Sequence, residues 1–240
     1  MPINVAQENY GQNIGAGTTI TCSLSNTQAG SVFAIATYGS SSVTAVITDS
    51  QGNTFTPKTP VDNAGASTRL TMHYALGVAG GAAANTFTCT YSGSTSNRFI
   101  AVAEIRLATL TAYDGFKTRY QTGPGTSTDG ATTQSDAGST NANQPALIWA
   151  ICCIGNSATT VTPGTGFTQG LQLTPVFSGL CVGTENARVT NTAAQAATFT
   201  LSANNNALMG LLIFDELAQL LEAESDTAAG YQDLSGNFRG

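Results

Sequence analysis

The feature that most constrains the fold of this 240-residue chain is that its order of local signals runs twice. The run from Ser31 to Gly39 (SVFAIATYG) is echoed by Ala146 to Gly155 (ALIWAICCIG), and Gly52 to Pro57 (GNTFTP) by Gly164 to Gly170 (GTGFTQG). Ala84 to Ser92 (ANTFTCTYS) returns as Ala196 to Asn204 (AATFTLSAN), and Arg98 to Leu107 (RFIAVAEIRL) as Ala207 to Glu216 (ALMGLLIFDE). All four pairs are offset by about 110 to 115 residues. A unit of four strands is too small to bury both faces of its own sheet. The halves are therefore expected to pack as facing sheets or to interleave as two Greek keys in one jelly roll.

The repeated signals are those of strands. Thr18 to Leu24, Ser31 to Tyr38, Ser42 to Thr48, Arg69 to Leu76, Thr86 to Tyr91 and Arg98 to Ala108 are strand-like runs separated by Gly- and Asn-containing turns. In Arg69 to Leu76, Leu70, Met72, Tyr74 and Leu76 fall on one face, and Thr71, His73 and Ala75 on the other. Leu147 to Ile154 is apolar on both faces and reads as a buried strand containing Trp149. Tyr120 to Pro145 is a polar Gly/Ser/Thr tract, either an interdomain linker or a long crossing loop with one strand inside it, and the loop is preferred. The expectation is an all-β, jelly-roll-like β-sandwich over residues 1–214, with pseudo-repeats at about 15–110 and 130–214.

After Phe214 the pattern changes. Asp215 can cap a short amphipathic helix in which Leu217, Leu220 and Leu221 share a face, opposite Glu216, Glu222 and Glu224. Tyr231, Leu234 and Phe238 are then spaced along an extended arm, so residues 215–240 read as a helix and arm. This segment also concentrates charge. Its six acids against Arg239 carry −5 of the chain's net −6, and the body is nearly neutral with scattered Lys and Arg. Phosphate binding needs a clustered basic footprint, so nucleic acid is not an expected ligand.

Little in the sequence points to chemistry. His73 is the only histidine, and without a G-x-S-x-G elbow it reads as a surface or interface residue. Asp49, Asp62, Glu104, Asp114, Asp129, Asp136 and Glu185 show no spacing that selects a glycosidase pair, and outer-face exposure accounts for Glu104 and Glu185. Asp49 to Asn53 lacks the further acids of a calcium loop and reads as a hairpin turn in which Asp and Asn tolerate positive φ. Cys22, Cys89, Cys152, Cys153 and Cys181 lack metal-ligand spacing and read as buried thiols. Cys22–Cys89 or Cys153–Cys181 disulfides are the alternative. No catalytic residue, cofactor site or metal site is expected.

Exposed rings could stack sugars, and Tyr38, Tyr91, Tyr113, Phe116 and Tyr120 are the candidates. Tyr113, Phe116 and Tyr120 form a ring-bearing segment that reads either as a ligand loop or, preferred, as a packed crossover between halves. No apolar run of about 18 residues could span a bilayer, so membrane insertion is not expected. MPINVAQENYGQN has neither the basic nor the apolar region of a secretory signal.

Asp-x-x-Gly-Asn-Thr-Phe at Asp49 to Phe55, the strand Leu70 to Leu76, Gly-Gly-x-x-x-Asn-Thr at Gly80 to Thr86, the strand Thr86 to Ser92 and Gly-Thr-Gly-Phe-Thr at Gly164 to Thr168 resemble sandwich domains of bacteriophage virion proteins and related secreted bacterial proteins. The resemblance spans about residues 15–215 and carries no catalytic residues. It implies a jelly-roll module for display, cementing or attachment, and the missing signal favours the phage member, made in a host cytoplasm and delivered in the virion. The expected function is a non-enzymatic virion structural protein (head decoration, collar or tail-associated). It would bind other virion proteins and copies of itself through the sandwich surface and Leu217, Leu220, Leu221, Tyr231, Leu234 and Phe238. The alternative is a carbohydrate-binding or host-adhesion domain that meets a host-surface glycan through Tyr113, Phe116 and Tyr120.

Overall fold

The computed structural model describes residues 2–106, 115–121, 132–140, 145–155, 159–177, 179–190, 194–203 and 206–216, and strands are the regular element throughout them. The first half supplies β1 (Asn4–Asn13), β2 (Gly17–Leu24), β3 (Val32–Ser40), β4 (Ala45–Asp49), β5 (Thr56–Pro57), β6 (Val61–Asn63), β7 (Thr68–Ala75), β8 (Asn85–Thr95) and β9 (Arg98–Arg106). The second supplies β10 (Gly115–Gln121), β11 (Thr132–Thr140), β12 (Ala146–Ile154), β13 (Val161–Pro163), β14 (Thr168–Phe177), β15 (Leu180–Val189), β16 (Ala194–Leu201) and β17 (Ala207–Asp215).

The halves do not interleave. One large sheet runs β1-β9-β3-β7-β5, with β6 also on β7, and its smaller partner runs β2-β8-β4. The second half repeats the order as β10-β17-β12-β15-β14 and β11-β16-β13. Register confirms the correspondence. Val32 faces Ile105 and Tyr38 faces Phe99 between β3 and β9, just as Leu147 faces Phe214 and Cys153 faces Leu208 between β12 and β17.

Each half is thus its own two-layer sandwich, and the two large sheets pack against each other, giving four layers. The central seam is filled by Val32, Ala34, Ala36, Leu70, Met72 and Phe99 from one sheet, and by Leu147, Trp149, Ile151, Val182, Leu208 and Phe214 from the other. Separate cores lie on either side. Phe33, Ile35, Phe87 and Cys89 fill the first half, and Ile148, Ala150, Phe199 and Leu201 the second. A sheet covered on both faces needs apolar side chains at successive positions, and β12 is buried at all nine of its residues. The outer sheets have one wet face, so β2 alternates buried Ile20, Cys22 and Leu24 with exposed Thr19, Thr21 and Ser23.

Several expectations change. The first half begins at Asn4, because β1 forms the edge of its large sheet, paired with β9 from Asn4↔Arg106 to Asn13↔Arg98. The Tyr120–Pro145 tract does contain one strand, β11, while β10 takes in the second half the edge place that β1 takes in the first. Asp215 closes β17, opposite Ala146, and the Glu216 amide donates to the Pro145 carbonyl at 2.7 Å, so neither residue starts a helix. The helix and arm expected from Leu217 onward lie outside the described residues.

Candidate functional site

The ionisable groups that sequence placed on outer faces are inside. His73 is 1% exposed, in the core of the first half, because the face of β7 that carries it covers β2-β8-β4 rather than solvent. Its Nε2 lies 3.3 Å from Thr37 Oγ1, and burial pushes the imidazole down to about 4. Glu185 occupies the same place in the second half, since Ile35 pairs with His73 as Ala150 pairs with Glu185. It is fully buried; its Oε2 accepts from the Gly164 amide at 2.8 Å and its Oε1 from the Thr198 amide at 2.9 Å. Burial raises its carboxyl to about 7 against those two bonds.

Glu104 is also fully buried, which again replaces the outer-face reading. Its Oε1 accepts from the Gln28 amide at 2.7 Å and the Ser31 hydroxyl at 2.8 Å, and Gln7 and Arg106 donate to the same carboxylate. Burial pushes this carboxyl up, but the donors, led by Arg106, outweigh it and hold the group below its ordinary value. Each of these carboxylates has all its partners within one fold element cluster, and His73 and Glu185 belong to separate cores. All five cysteines are buried and unpaired by disulfides, and burial raises the thiols of Cys22 and Cys89 to about 12, far from a reactive thiolate. Among the described residues, no group of three or more His, Cys, Asp or Glu is arranged to hold a metal, and no helix is long and apolar enough to cross a membrane.

Asp49 caps a turn. Its Oδ1 accepts from the Asn53 amide at 2.8 Å, and its Oδ2 from Asn53 Nδ2 at 2.6 Å and Asn85 Nδ2 at 2.8 Å. This turn is not a hairpin, because the next strand, β5, pairs with β7 in the other sheet. Its positive φ, 77°, belongs to Gly52 rather than to Asp49 or Asn53. The turn drops Phe55 onto Phe33 and Phe87 in the core, which accounts for the repeated x-Phe-Thr signature.

Among the described residues, one carboxylate is hydrogen-bonded across the halves. Glu8, on β1, reaches across the seam and its Oε1 accepts from Trp149 Nε1 at 2.9 Å, while its Oε2 accepts from the Leu171 amide at 3.2 Å. Burial pushes this carboxyl above its ordinary value, and the donors from Trp149, Thr184 and Leu171 only partly pull it back. Gly170 leaves room for it, since a Cβ there would crowd Glu8 Oε2 and Thr184 Oγ1 and shift both side-chain ends.

The outer sheet of the first half presents hydroxyls rather than charges. On the first half, Thr19 pairs with Thr90 and Thr90 with Val46, and Thr21 pairs with Thr88 and Thr88 with Thr48. Ser23 and Thr86 continue the array, their hydroxyls 3.0 Å apart. On the second half the corresponding register rows are Thr133, Thr200 and Thr162, then Ser135 with Thr198. None of these positions is charged, and Val46, 60% exposed, is one of two large exposed apolar side chains among the described residues.

Of the residues expected to bind, Tyr38 and Tyr91 are buried, with the Tyr91 hydroxyl donating to the Tyr38 carbonyl at 2.8 Å, so neither ring is free for stacking. Phe116 and Tyr120 lie on β10 in register with Leu212 and Leu208. Tyr113, Leu217, Leu220, Leu221, Tyr231, Leu234 and Phe238 lie outside the described residues. No family model, curated protein or solved structure matches the chain.

Proposed function

We propose that this chain is a non-enzymatic structural protein of a bacteriophage particle, docking on neighbouring subunits through its outer sheets and the stretch after Glu216. The observation that carries the reading is the charge-free hydroxyl face of the first half's outer sheet, set over a sealed interior. Such a face can be covered by a partner without stripping water from any ion. The strand order fits a jelly roll within each half, β1-β9-β3-β7 over β2-β8-β4 and its duplicate, in place of the single jelly roll expected of the two halves together. The sequence resemblance to virion sandwich domains supplies the setting.

The test is incorporation into particles. Chains carrying Thr21→Lys with Thr88→Lys, or lacking residues 217–240, are supplied during particle production in place of the natural chain. The proposal expects both to fold, by circular dichroism, and at least one to be missing from purified particles. Absence of the natural chain from purified particles, or full incorporation of both variants, refutes it.

A further inference from the structure

We infer that the cleft at the β3 end of the first half, between the β6–β7 and β8–β9 turns, is a binding site for a single residue of an uncharged sugar. The cleft measures about 190 Å³ and is lined by Tyr38, Ser40, Ser67, Thr68, Ser96 and Asn97 among others, none of them ionisable in the carboxylate or amine sense. Its floor is fixed. The Tyr38 ring is buried and its hydroxyl is held by Thr68, and Thr95 Oγ1 accepts from the Ser40 amide at 3.1 Å while donating to the Ser96 carbonyl at 3.1 Å.

The rim is different. Ser67, Ser96 and Asn97 come from two separate turns, are exposed, and have no side-chain hydrogen bond to the described residues. Three unengaged neutral donors and acceptors therefore converge over a rigid floor, the arrangement by which small-molecule sites fix orientation. Two cations adjoin the lining in sequence: Arg69 is committed to Asp62 through bonds of 2.7 and 2.8 Å and to the Val43 carbonyl at 3.2 Å, and Arg98 is buried, its Nη2 donating to the Gly15 carbonyl at 2.9 Å. Neither guanidinium is among the lining residues, so an anionic ligand would find no counter-charge at the rim, whereas a hydroxyl-rich neutral one finds matching groups. The duplicate half does not repeat the lining. Where the first half has Tyr38, Gly39 and Ser40, the second has Cys153, Ile154 and Gly155, so these residues are not what the fold itself requires.

This inference stands apart from the particle reading, and its test uses the full chain. Isotope-labelled protein is titrated with glucose, galactose, mannose and N-acetylglucosamine, and with glucuronic and N-acetylneuraminic acids, while backbone amide resonances are followed. The expected result is a saturable shift in the millimolar range at the amides of Ser67, Thr68, Ser96 and Asn97 with at least one neutral sugar, and none with the acids. Combining Ser96→Ala with Asn97→Gly should weaken that binding about tenfold. Asn97 has φ of 56°, which glycine adopts freely, so the turn is kept, and an unchanged melting curve confirms it. Ser67→Gly, at φ of 53°, serves as a second variant of the same kind on the other turn. Absence of saturable shifts with every neutral sugar, equal binding of the acids, or unweakened binding in the variants overturns the inference.

Discussion

Replacing His73 and Glu185 one at a time should uncover two opposed pH dependences that the natural chain hides. Glu185 rises from an ordinary 4.5 to about 7, so between those values the folded chain holds a proton that the unfolded chain has released, and stability falls as pH rises. At 1.36 kcal/mol per pH unit this amounts to about 3 kcal/mol. His73 falls from an ordinary 6.5 to about 4, so in that window the unfolded chain holds the extra proton and stability falls as pH drops, again by about 3 kcal/mol. From pH 4.5 to 6.5 the two slopes have opposite sign and similar size. The natural chain should therefore show little net contribution from this pair. Glu185→Gln should leave the His73 slope, with stability rising from pH 4 to 6.5, and His73→Gln should leave the Glu185 slope, with stability falling from pH 4.5 to 7. For a chain of this length each 3 kcal/mol corresponds to roughly 6–12 °C in melting temperature. Thermal melts followed by circular dichroism across pH 4 to 8 measure it. Subtracting the natural chain's curve removes the contributions of Glu8, Asp62 and Glu104, which all three proteins share. Flat difference curves, or slopes of the wrong sign, refute the assignment of these two groups to desolvated interiors.

The seam offers two further tests. Trp149→Phe removes the Nε1 donor to Glu8 and leaves a buried carboxylate short of one partner, so unfolding free energy should drop by about 1–3 kcal/mol. Urea titration measures this, and a change below about 0.5 kcal/mol would deny the bond its structural role. Gly210 lets Met72 pack closely across the seam, because a Cβ there would lie 2.7 Å from the Met72 sulfur. Gly210→Leu must displace that side chain and should cost at least about 1–3 kcal/mol. Because Trp149 is the only tryptophan and is fully buried in the seam, its emission should also move to longer wavelength in this variant; unaltered emission and stability would refute close packing there.

What could be read from sequence follows from which sheets face water. The outer strand β2 alternates, and β3, β12, β9 and β17 are continuous apolar runs, so both kinds announce themselves, and the echo between halves names the equivalent strands. β1 was harder. NVAQENYGQN is polar and only partly buried, as suits an edge strand, and no apolar period marks it, yet it carries Glu8, whose carboxylate is hydrogen-bonded across the halves. The crossover strands β5 and β6, of two and three residues, are too short to show any period.

The misplacement of His73, Glu104 and Glu185 has one physical cause. A lone ionisable residue in an alternating strand normally marks the solvent face, but a large sheet buried between its own partner and its duplicate has no solvent face to offer. The repeat held a signal that would have corrected this, since at an offset of 112 residues His73 aligns with Glu185, placing an ionisable group at the same position of both halves. A residue chosen only for exposure has no reason to recur in character when the outer-face residues around it remain hydroxyls. Recurrence of an ionisable group at one buried position of both halves instead marks a place where the sandwich needs a polar partner. In the second half that need is visible as the Gly164 and Thr198 amides, which would lack a shared acceptor without Glu185, and in the first half His73 meets Thr37 on the adjacent strand.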